Sequence, residues 1–420
     1  MTERLIIQDF AGITYIAIEI KEVNVLIGPQ ASGKSICAKL LFYFKNFVTD
    51  ILSSLDEAAY SKRYIDTERK LKFLEYFPMI SWGEKPFLIR YENADSFIEI
   101  TSLKKKQTGI KLEYSDNYKK LINSLKKFRV EILLEQTLTP HQLEKEVELQ
   151  RGKILKFVEG LMGDSFLASQ IFIPAGRSIF SIVQRSIFSF LAQKDELDPF
   201  LIHFGSLYQF VKRMQNRTFP DKLNVDMEKL AEEVVCGKYL ELSNEDFIRM
   251  HDGRLVNLTT SSSGQQETLP LTMILTSLSK LRGFRDSKTV YIEEPEAHIF
   301  PSAQRSLVEL IAAAFNFDSG RTQFFITTHS PYVLTVFNNL IQAGLLYEEL
   351  PEESRKELEL IIPKHKALSS ERMQVYSLES GYCRSIISEE TGLIDATIID
   401  QVSDDLSIEF DQLLDLIDIK

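Results

Sequence analysis

The stretch GPQASGKS, Gly28 to Ser35, constrains this chain more than any other. It follows an apolar run, VNVLI, and leads into an apolar pattern of helical spacing, SICAKLLFYF. A strand that ends in such a turn and reopens as a helix gathers backbone N–H groups and the positive end of a helix dipole around one point, which is a grip for an anion. The pattern G-x-x-x-x-G-K-[ST] is met by Gly28, Gly33, Lys34 and Ser35. Pro29, Gln30, Ala31 and Ser32 form the arc, and Ile36 follows in the first helical turn. In this reading Lys34 reaches the β- and γ-phosphates of a nucleotide, and the Ser35 hydroxyl takes one coordination position of Mg²⁺.

A phosphate grip does not by itself separate a small-molecule kinase, a GTPase and a mechanical ATPase. The later stretch KTVYIEEPEAHIFP, 288–301, narrows the choice, because an apolar strand there ends in two adjacent carboxylates, Glu293 and Glu294. A buried strand holds charge at its end only where a cation or water meets it. The expected division of labour gives Glu293 the Mg²⁺, through water, and Glu294 the orienting or deprotonation of the attacking water. Two further pieces follow the same order. TSSSGQQE, 260–267, is a Ser/Gly-rich turn at a helix start, suited to binding phosphate or, equally, to plain N-capping by Ser262. FFITTHSPY, 324–332, places His329 just past an apolar strand, where it can sense a γ-phosphate.

The rest of the chain reads as a frame for these pieces. Residues 4–27 suggest three short strands, and a helix is expected from Lys34 to about Leu55. Residues 86–114 alternate as an antiparallel meander, and 118–215 turn mostly helical around the strand-like SQIFIPAGRS at 169–178. A hairpin is expected over 237–258. Beyond it come a helix at about 265–283, a buried strand at 288–293, a helix at 301–316 and a strand at 322–328. Alternating strands and helices predict an α/β fold with a parallel core. Four segments result: 1–114 with the phosphate loop and meander, 115–236 as a mostly helical insertion, 237–345 as the second part of the core, and 346–420 as a C-terminal extension.

Composition sets the outer bounds. The 420 residues carry a net charge of −11 and only three cysteines, Cys37, Cys236 and Cys383, far apart in the chain. That spacing indicates neither a disulfide framework nor a metal knuckle, and no run is long and apolar enough for a membrane helix. A cytoplasmic chain without membrane contact is the expectation. The charge is uneven: nine basic residues between Lys104 and Arg129 face only Glu113 and Asp116, a local balance of +7. This stretch, 104–129, is a candidate contact for DNA or an acidic partner, or simply a solvated face.

As an ordered set, GPQASGKS, SSSGQQE, VYIEEPE and TTHSP resemble the nucleotide-binding domain of the ABC-type superfamily. The resemblance is to SMC-like prokaryotic ATPases, in particular the overcoming-lysogenisation-defect (OLD) family and the ATPase subunits of Septu-type anti-phage defence systems. It implies a P-loop NTPase with a mixed sheet, an antiparallel meander and an inserted helical lobe, hydrolysing ATP to ADP and phosphate with Mg²⁺. It also implies a homo-oligomer, a dimer or a multiple of one, in which two copies sandwich two ATP molecules. Lys34 and Ser35 would then bind phosphate and metal, Glu294 would be the catalytic base and His329 the switch histidine. Ser262, Ser263, Gly264 and Gln265 form the signature turn, with Ser262 and Gly264 set against the γ-phosphate held by the opposite protomer. The chain departs from the superfamily in having Glu293 where Asp is usual and SSGQ where SGGQ is usual. Gln170 and Gln107 are candidates for the Q-loop glutamine. Arg177, in IPAGRS, is a candidate phosphate or interprotomer contact or an ion-paired structural arginine.

What the resemblance implies about role is an ATP-driven switch governing a separate effector, a nuclease in this family, in anti-phage defence. The alternatives are a DNA-associated repair or recombination ATPase and a self-contained OLD-type nuclease. The latter needs a Glu and a D-x-D metal site, and the acidic residues of the tail (Asp404, Asp405, Asp411) fall in a helix-like pattern instead. A kinase would need an arginine-rich lid and has no use for SSSGQQE.

Overall fold

The computed structural model describes residues 2–53, 62–102, 109–134, 140–182, 197–215, 222–243, 245–281, 286–318, 320–395 and 407–413. Its frame is one large sheet. The strands, in chain order, are β1 (Glu3–Phe10), β2 (Ile13–Ile20), β3 (Val23–Ile27), β4 (Leu88–Asn93), β5 (Ser96–Ser102), β6 (Ile110–Tyr114) and β7 (Ser169–Ile173). Then come β8 (Lys238–Leu242), β9 (Glu245–Arg249), β10 (Leu255–Asn257), β11 (Lys288–Glu293), β12 (Thr322–Thr328), β13 (Met373–Glu379) and β14 (Tyr382–Ser385). Eleven of them form a sheet in the order β6-β5-β4-β1-β2-β14-β13-β3-β12-β11-β7.

The sheet has two halves of different character. β6, β5, β4, β1 and β2 pair antiparallel, as the alternation over 4–20 and 86–114 predicts. β13, β3, β12, β11 and β7 pair parallel. The seam is thin, since β14 pairs with β2 at the single ladder position Tyr382–Tyr15. The region 237–258 folds as a separate three-stranded meander, β10-β9-β8, turning at Ser243 and at Gly253.

Burial follows strand periodicity. In β3, β11 and β12, Val23, Val25, Ile27, Val290, Ile292, Phe324 and Ile326 point into one apolar layer, while Leu26, Tyr291 and Phe325 point into the other. A period of two puts Glu293 on the same face as Tyr291. That face is covered by the helix Lys34–Lys45, eight of whose residues are buried. Its Phe42 packs edge-on to Phe172, Phe200 and Tyr291 with ring centroids 5.5–5.7 Å apart, an arrangement that adds specificity to the burial. The opposite face carries the helices Ser263–Ser277, Pro301–Phe317 and Pro331–Glu349, together with Phe204, Tyr208 and Val211 of the helix Pro199–Gln215, whose Phe200 packs on the first face.

Several expectations are adjusted. The single helix expected from Lys34 to about Leu55 breaks at Asn46, which caps Lys34–Lys45 before a second helix, Phe47–Ser53. The helix expected over 265–283 runs Ser263–Ser277 and tightens into a 3₁₀ turn over Leu278–Lys280. The segment 115–236 contributes β7 to the main sheet, and 346–420 contributes β13 and β14, which sit between β2 and β3. Among the described residues no helix is long and apolar enough to cross a membrane.

Candidate nucleotide site

The carboxyl ends of β3, β12, β11 and β7 all open on one side of the parallel half-sheet, where open α/β folds hold ligands. Each delivers a piece of the site: Gly28 after β3, His329 after β12, Glu293 and Glu294 at the end of β11, and Pro174 to Arg177 after β7.

The phosphate loop is shaped by its glycines. Ala31 (φ 59°) and Gly33 (φ 101°) lie in the left-handed region, and the helix starts immediately after Gly33. Gly28 is required by space, since a Cβ there would lie 2.1 Å from the Leu378 carbonyl oxygen of β13. Neither atom can yield without moving backbone. Gly28→Ala is therefore expected to cost about 1–3 kcal/mol of stability and to weaken nucleotide binding. Thermal unfolding together with titration of a fluorescent ATP analogue checks both effects.

Lys34 is buried and its ammonium lies folded into the loop. It donates to the Gly28 and Pro29 carbonyls, each at 2.8 Å, lies 3.3 Å from Ser32 Oγ, and approaches His329 Nδ1 at 3.4 Å. The other ring nitrogen of His329, Nε2, lies 3.2 Å from Glu294 Oε1. An ammonium can only donate, so Nδ1 accepts and Nε2 carries the proton donated to Glu294. The three residues thus form a directed chain, Lys34 to His329 to Glu294. Burial pushes the Lys34 ammonium below its usual range, against the pull of Glu294 and Glu296, so the site keeps this cation at a cost that an arriving polyphosphate would relieve.

Glu294 sits at φ 44°, a conformation disfavoured for a side-chain-bearing residue, and is held there by its N–H on the Thr327 carbonyl at 2.8 Å. Glu296 was not anticipated from the sequence. It folds back across the turn, and its Oε1 accepts the His329 N–H at 2.6 Å, fixing the histidine where β12 ends. No spacing rule announces such a contact.

Glu293 lies beneath, nearly fully buried. Its Oε2 accepts the Ala175 N–H at 3.3 Å, and among the described residues its Oε1 has no hydrogen-bond partner. Burial pushes its carboxyl above the usual range, while Lys39, the Ser35 hydroxyl and the Ala175 N–H pull the other way. An orphaned buried carboxylate oxygen beside a serine hydroxyl is an oxygen donor set that fits Mg²⁺, which takes few protein ligands and completes its shell with water and phosphate. Glu293 and Ser35 would hold the ion, whose chemistry is to neutralise phosphate charge.

The signature turn shows local architecture. Ser262 is the N-cap of Ser263–Ser277, and its hydroxyl and the Gln265 side chain form a reciprocal capping box. Gln265 Nε2 also donates to the Val235 carbonyl at 3.0 Å. Gly264 is packed so closely that a Cβ would lie 2.6 Å from the His298 carbonyl oxygen. Ser262, Gly264 and Gln265 line a cleft of about 520 Å³ with His251, His298 and Phe300, and none of the phosphate-loop residues lines it. Within one chain, then, the phosphate loop does not share this cleft with the signature turn.

Gln170, Gln107 and Arg177 fare differently. Gln170 is buried among core groups, its amide donating to the Ala168 carbonyl and accepting from the Tyr291 hydroxyl, so it is not free to act as a Q-loop glutamine. Gln107 lies outside the described residues. Arg177 is 0% exposed in the single chain and its guanidinium is taken up by backbone carbonyls and Glu267, which favours the ion-paired structural reading over a phosphate or interprotomer contact. In the basic stretch, Lys104 to Lys106 lie outside the described residues, while Lys111 pairs with Glu113 and Lys119 with Asp116. Of the tail carboxylates, Asp404 and Asp405 likewise lie outside them.

Phosphate loop, paired strand-end carboxylates and strand-end histidine on the parallel half of a mixed α/β sheet define a P-loop nucleotide-binding protein. Residues 181–334 match a family model described as an AAA ATPase domain, a span that includes the signature turn, both carboxylates and His329. No curated protein matches the chain. Among solved structures it is similar to the SMC head domain from Thermotoga maritima (12% identity, TM-score 0.36, 92% of this chain and 99% of that one). It is also similar to the Smc head domain with an extended coiled coil, bound to the C-terminal domain of ScpA, derived from Pyrococcus furiosus (11%, TM-score 0.40, 96% and 99%). A third similarity is to the recombination mediator protein RecF (12%, TM-score 0.34, 92% and 98%).

Proposed function

We propose that this chain is a cytoplasmic ATP-hydrolysing switch that dimerises around ATP and Mg²⁺ and governs a separate effector protein. The observation that carries the reading is the chain Lys34–His329–Glu294 above the orphaned Glu293 oxygen, because it joins the residue that meets the phosphates to the residue that would activate water. When the triphosphate draws Lys34 off the Gly28 and Pro29 carbonyls, His329 loses its lysine partner and is left to the γ-phosphate and Glu294. Glu294 then takes a proton from water aligned with the γ-phosphate, the water oxygen bonds phosphorus, and ADP leaves with the bridging oxygen's electron pair.

Dimerisation follows from charge. Lys34 and one metal ion neutralise only part of a triphosphate, and an open site leaves the γ-phosphate wet. N–H donors at the start of a second chain's signature helix would dry it and strengthen every contact. The cleft around Ser262 supports that arrangement, since none of the residues lining it belongs to the same chain's phosphate loop. The resemblance to Septu-type ATPase subunits supports a nuclease as the effector and anti-phage defence as the setting. A DNA contact through 104–129 would show as a steep loss of affinity with salt.

The direct test is ATP turnover against protein concentration, which should rise faster than linearly as the dimer forms. Ser262→Arg is expected to abolish turnover by blocking closure while leaving the affinity of the single chain for a fluorescent ATP analogue within about twofold, because the turn does not contribute to its own chain's phosphate loop. Loss of affinity in that variant would contradict the sandwich.

A further inference from the structure

The most enclosed ion pair near the site is used by none of the steps above. Arg177 is 0% exposed and Glu267 2%, and Arg177 Nε lies 3.5 Å from Glu267 Oε2. The same guanidinium donates to the Glu267 carbonyl at 2.8 Å, the Pro174 carbonyl at 3.0 Å, the Glu293 carbonyl at 2.9 Å and the Glu294 carbonyl at 3.2 Å. In return the Ser178 N–H donates to Glu267 Oε1 at 3.3 Å. One planar group therefore joins three segments remote in sequence: the exit of β7, the signature helix Ser263–Ser277, and the last peptides of β11 that carry Glu293 and Glu294.

Plain packing does not require this. Burying a guanidinium and a carboxylate is costly, and apolar side chains of similar volume fill such a place at least as well. What a guanidinium adds is rigidity of direction, because its donors leave in fixed directions in one plane, and a shift of any one carbonyl disturbs the others. Glu267 lies in the first turn and a half of the helix capped by Ser262, so a displacement of the signature turn reaches Arg177 through a single helical segment.

We propose that Arg177 and Glu267 form a strut through which docking of a chain's signature turn on its partner's nucleotide sets the position of Glu293 and Glu294 in the same chain. Arg177 is fully enclosed and acts on backbone carbonyls, which makes it a positioning residue. The proposal rests on the sandwich reading, and it adds a consequence: the two ATP sites of the pair fire together, since each site's base is set by the occupancy of the other.

The test uses the full chain, Glu267→Gln and Arg177→Lys. It reads ATP turnover against ATP concentration, binding of a fluorescent ATP analogue, and thermal unfolding. The parent should show a Hill coefficient above one. Glu267→Gln should stay folded and bind the analogue within about twofold of the parent, with kcat lowered about tenfold or more and the Hill coefficient reduced to one. Arg177→Lys should behave the same way, because an ammonium cannot hold four carbonyls in one plane, and it decides the matter if Glu267→Gln fails to fold. A folded variant that keeps the parent's cooperativity, whether or not its rate falls, overturns the strut and leaves the sandwich standing. A parent enzyme without cooperativity, whose rate per chain does not depend on protein concentration, overturns both.

Discussion

Glu294→Gln is expected to lower ATP turnover by about 10²- to 10⁴-fold while leaving ATP affinity within a few-fold of the parent, and to hold the chain as a closed dimer on a sizing column in ATP and Mg²⁺. Size and one acceptor oxygen survive the change, so the contact with His329 Nε2, 3.2 Å in the parent, can persist. The backbone constraint at φ 44° is untouched, because the N–H still reaches the Thr327 carbonyl. Only basicity is lost. In the proposed sandwich an uncleaved nucleotide would keep both chains together, since the substitution removes none of the proposed contacts to the γ-phosphate. Turnover at the parent rate would assign the base elsewhere, and Glu296, held 2.6 Å from the His329 N–H, would be the next residue to test.

Glu293→Gln should separate stability from function in opposite directions. Burial raises the Glu293 carboxyl above its usual range. A group with a raised folded-state value contributes stability fully present below its unfolded value, and loses it as pH rises through the folded one. At neutral pH the ionised carboxylate is therefore a cost to the nucleotide-free fold. The amide removes that cost and keeps an acceptor for the Ala175 N–H. The nucleotide-free variant should melt a few degrees above the parent near pH 7 to 8, and the gap should close toward pH 4 to 5. Metal-dependent turnover should fall below detection, and Mg²⁺ with ATP should no longer raise Tm as it does in the parent. A variant that melts lower than the parent at neutral pH, or that keeps its metal-dependent gain in Tm, would contradict the assignment of Glu293 to the metal.

The parts of this molecule that were legible in the sequence are those where one residue type at one spacing has few alternative uses. Gly28, Gly33, Lys34 and Ser35 declare a strand–turn–helix unit, and β3 and the helix Lys34–Lys45 supply it. β11 and β12 fall where apolar runs end in Glu293 and His329, because a strand buried on both faces needs continuous apolar side chains and then a polar exit. The β13–β14 pair was missed although its signal was present. MQVYSLESGYCRS alternates on either side of an Ser-Gly turn, and Ser380 and Gly381 adopt the positive φ angles such a turn demands. Hidden was its address: β13 pairs with β3, Met373 opposite Val23, and no local pattern reports a partner that far away in the chain. The backbone partners of Arg177 and Glu296 were illegible for a related reason. Each residue acts on backbone carbonyls or N–H groups of distant segments, and a backbone group carries no residue identity for a spacing to reveal.

In the proposed sandwich the lysine-bearing turn of one chain and the serine-rich turn of another close on a single triphosphate. Lys34→Ala disables the first turn and Ser262→Arg the second, so each variant alone should be inactive. A mixed pair would still contain one intact site, built from the phosphate loop of the Ser262→Arg chain and the signature turn of the Lys34→Ala chain. Equal amounts mixed and allowed to exchange should recover turnover above that of either component: about a quarter of the parent's by random pairing in a two-fold dimer if the sites act independently, and roughly tenfold less if each site sets the other. A mixture that stays as inactive as its components, with both chains folded and exchange demonstrated, would contradict the account.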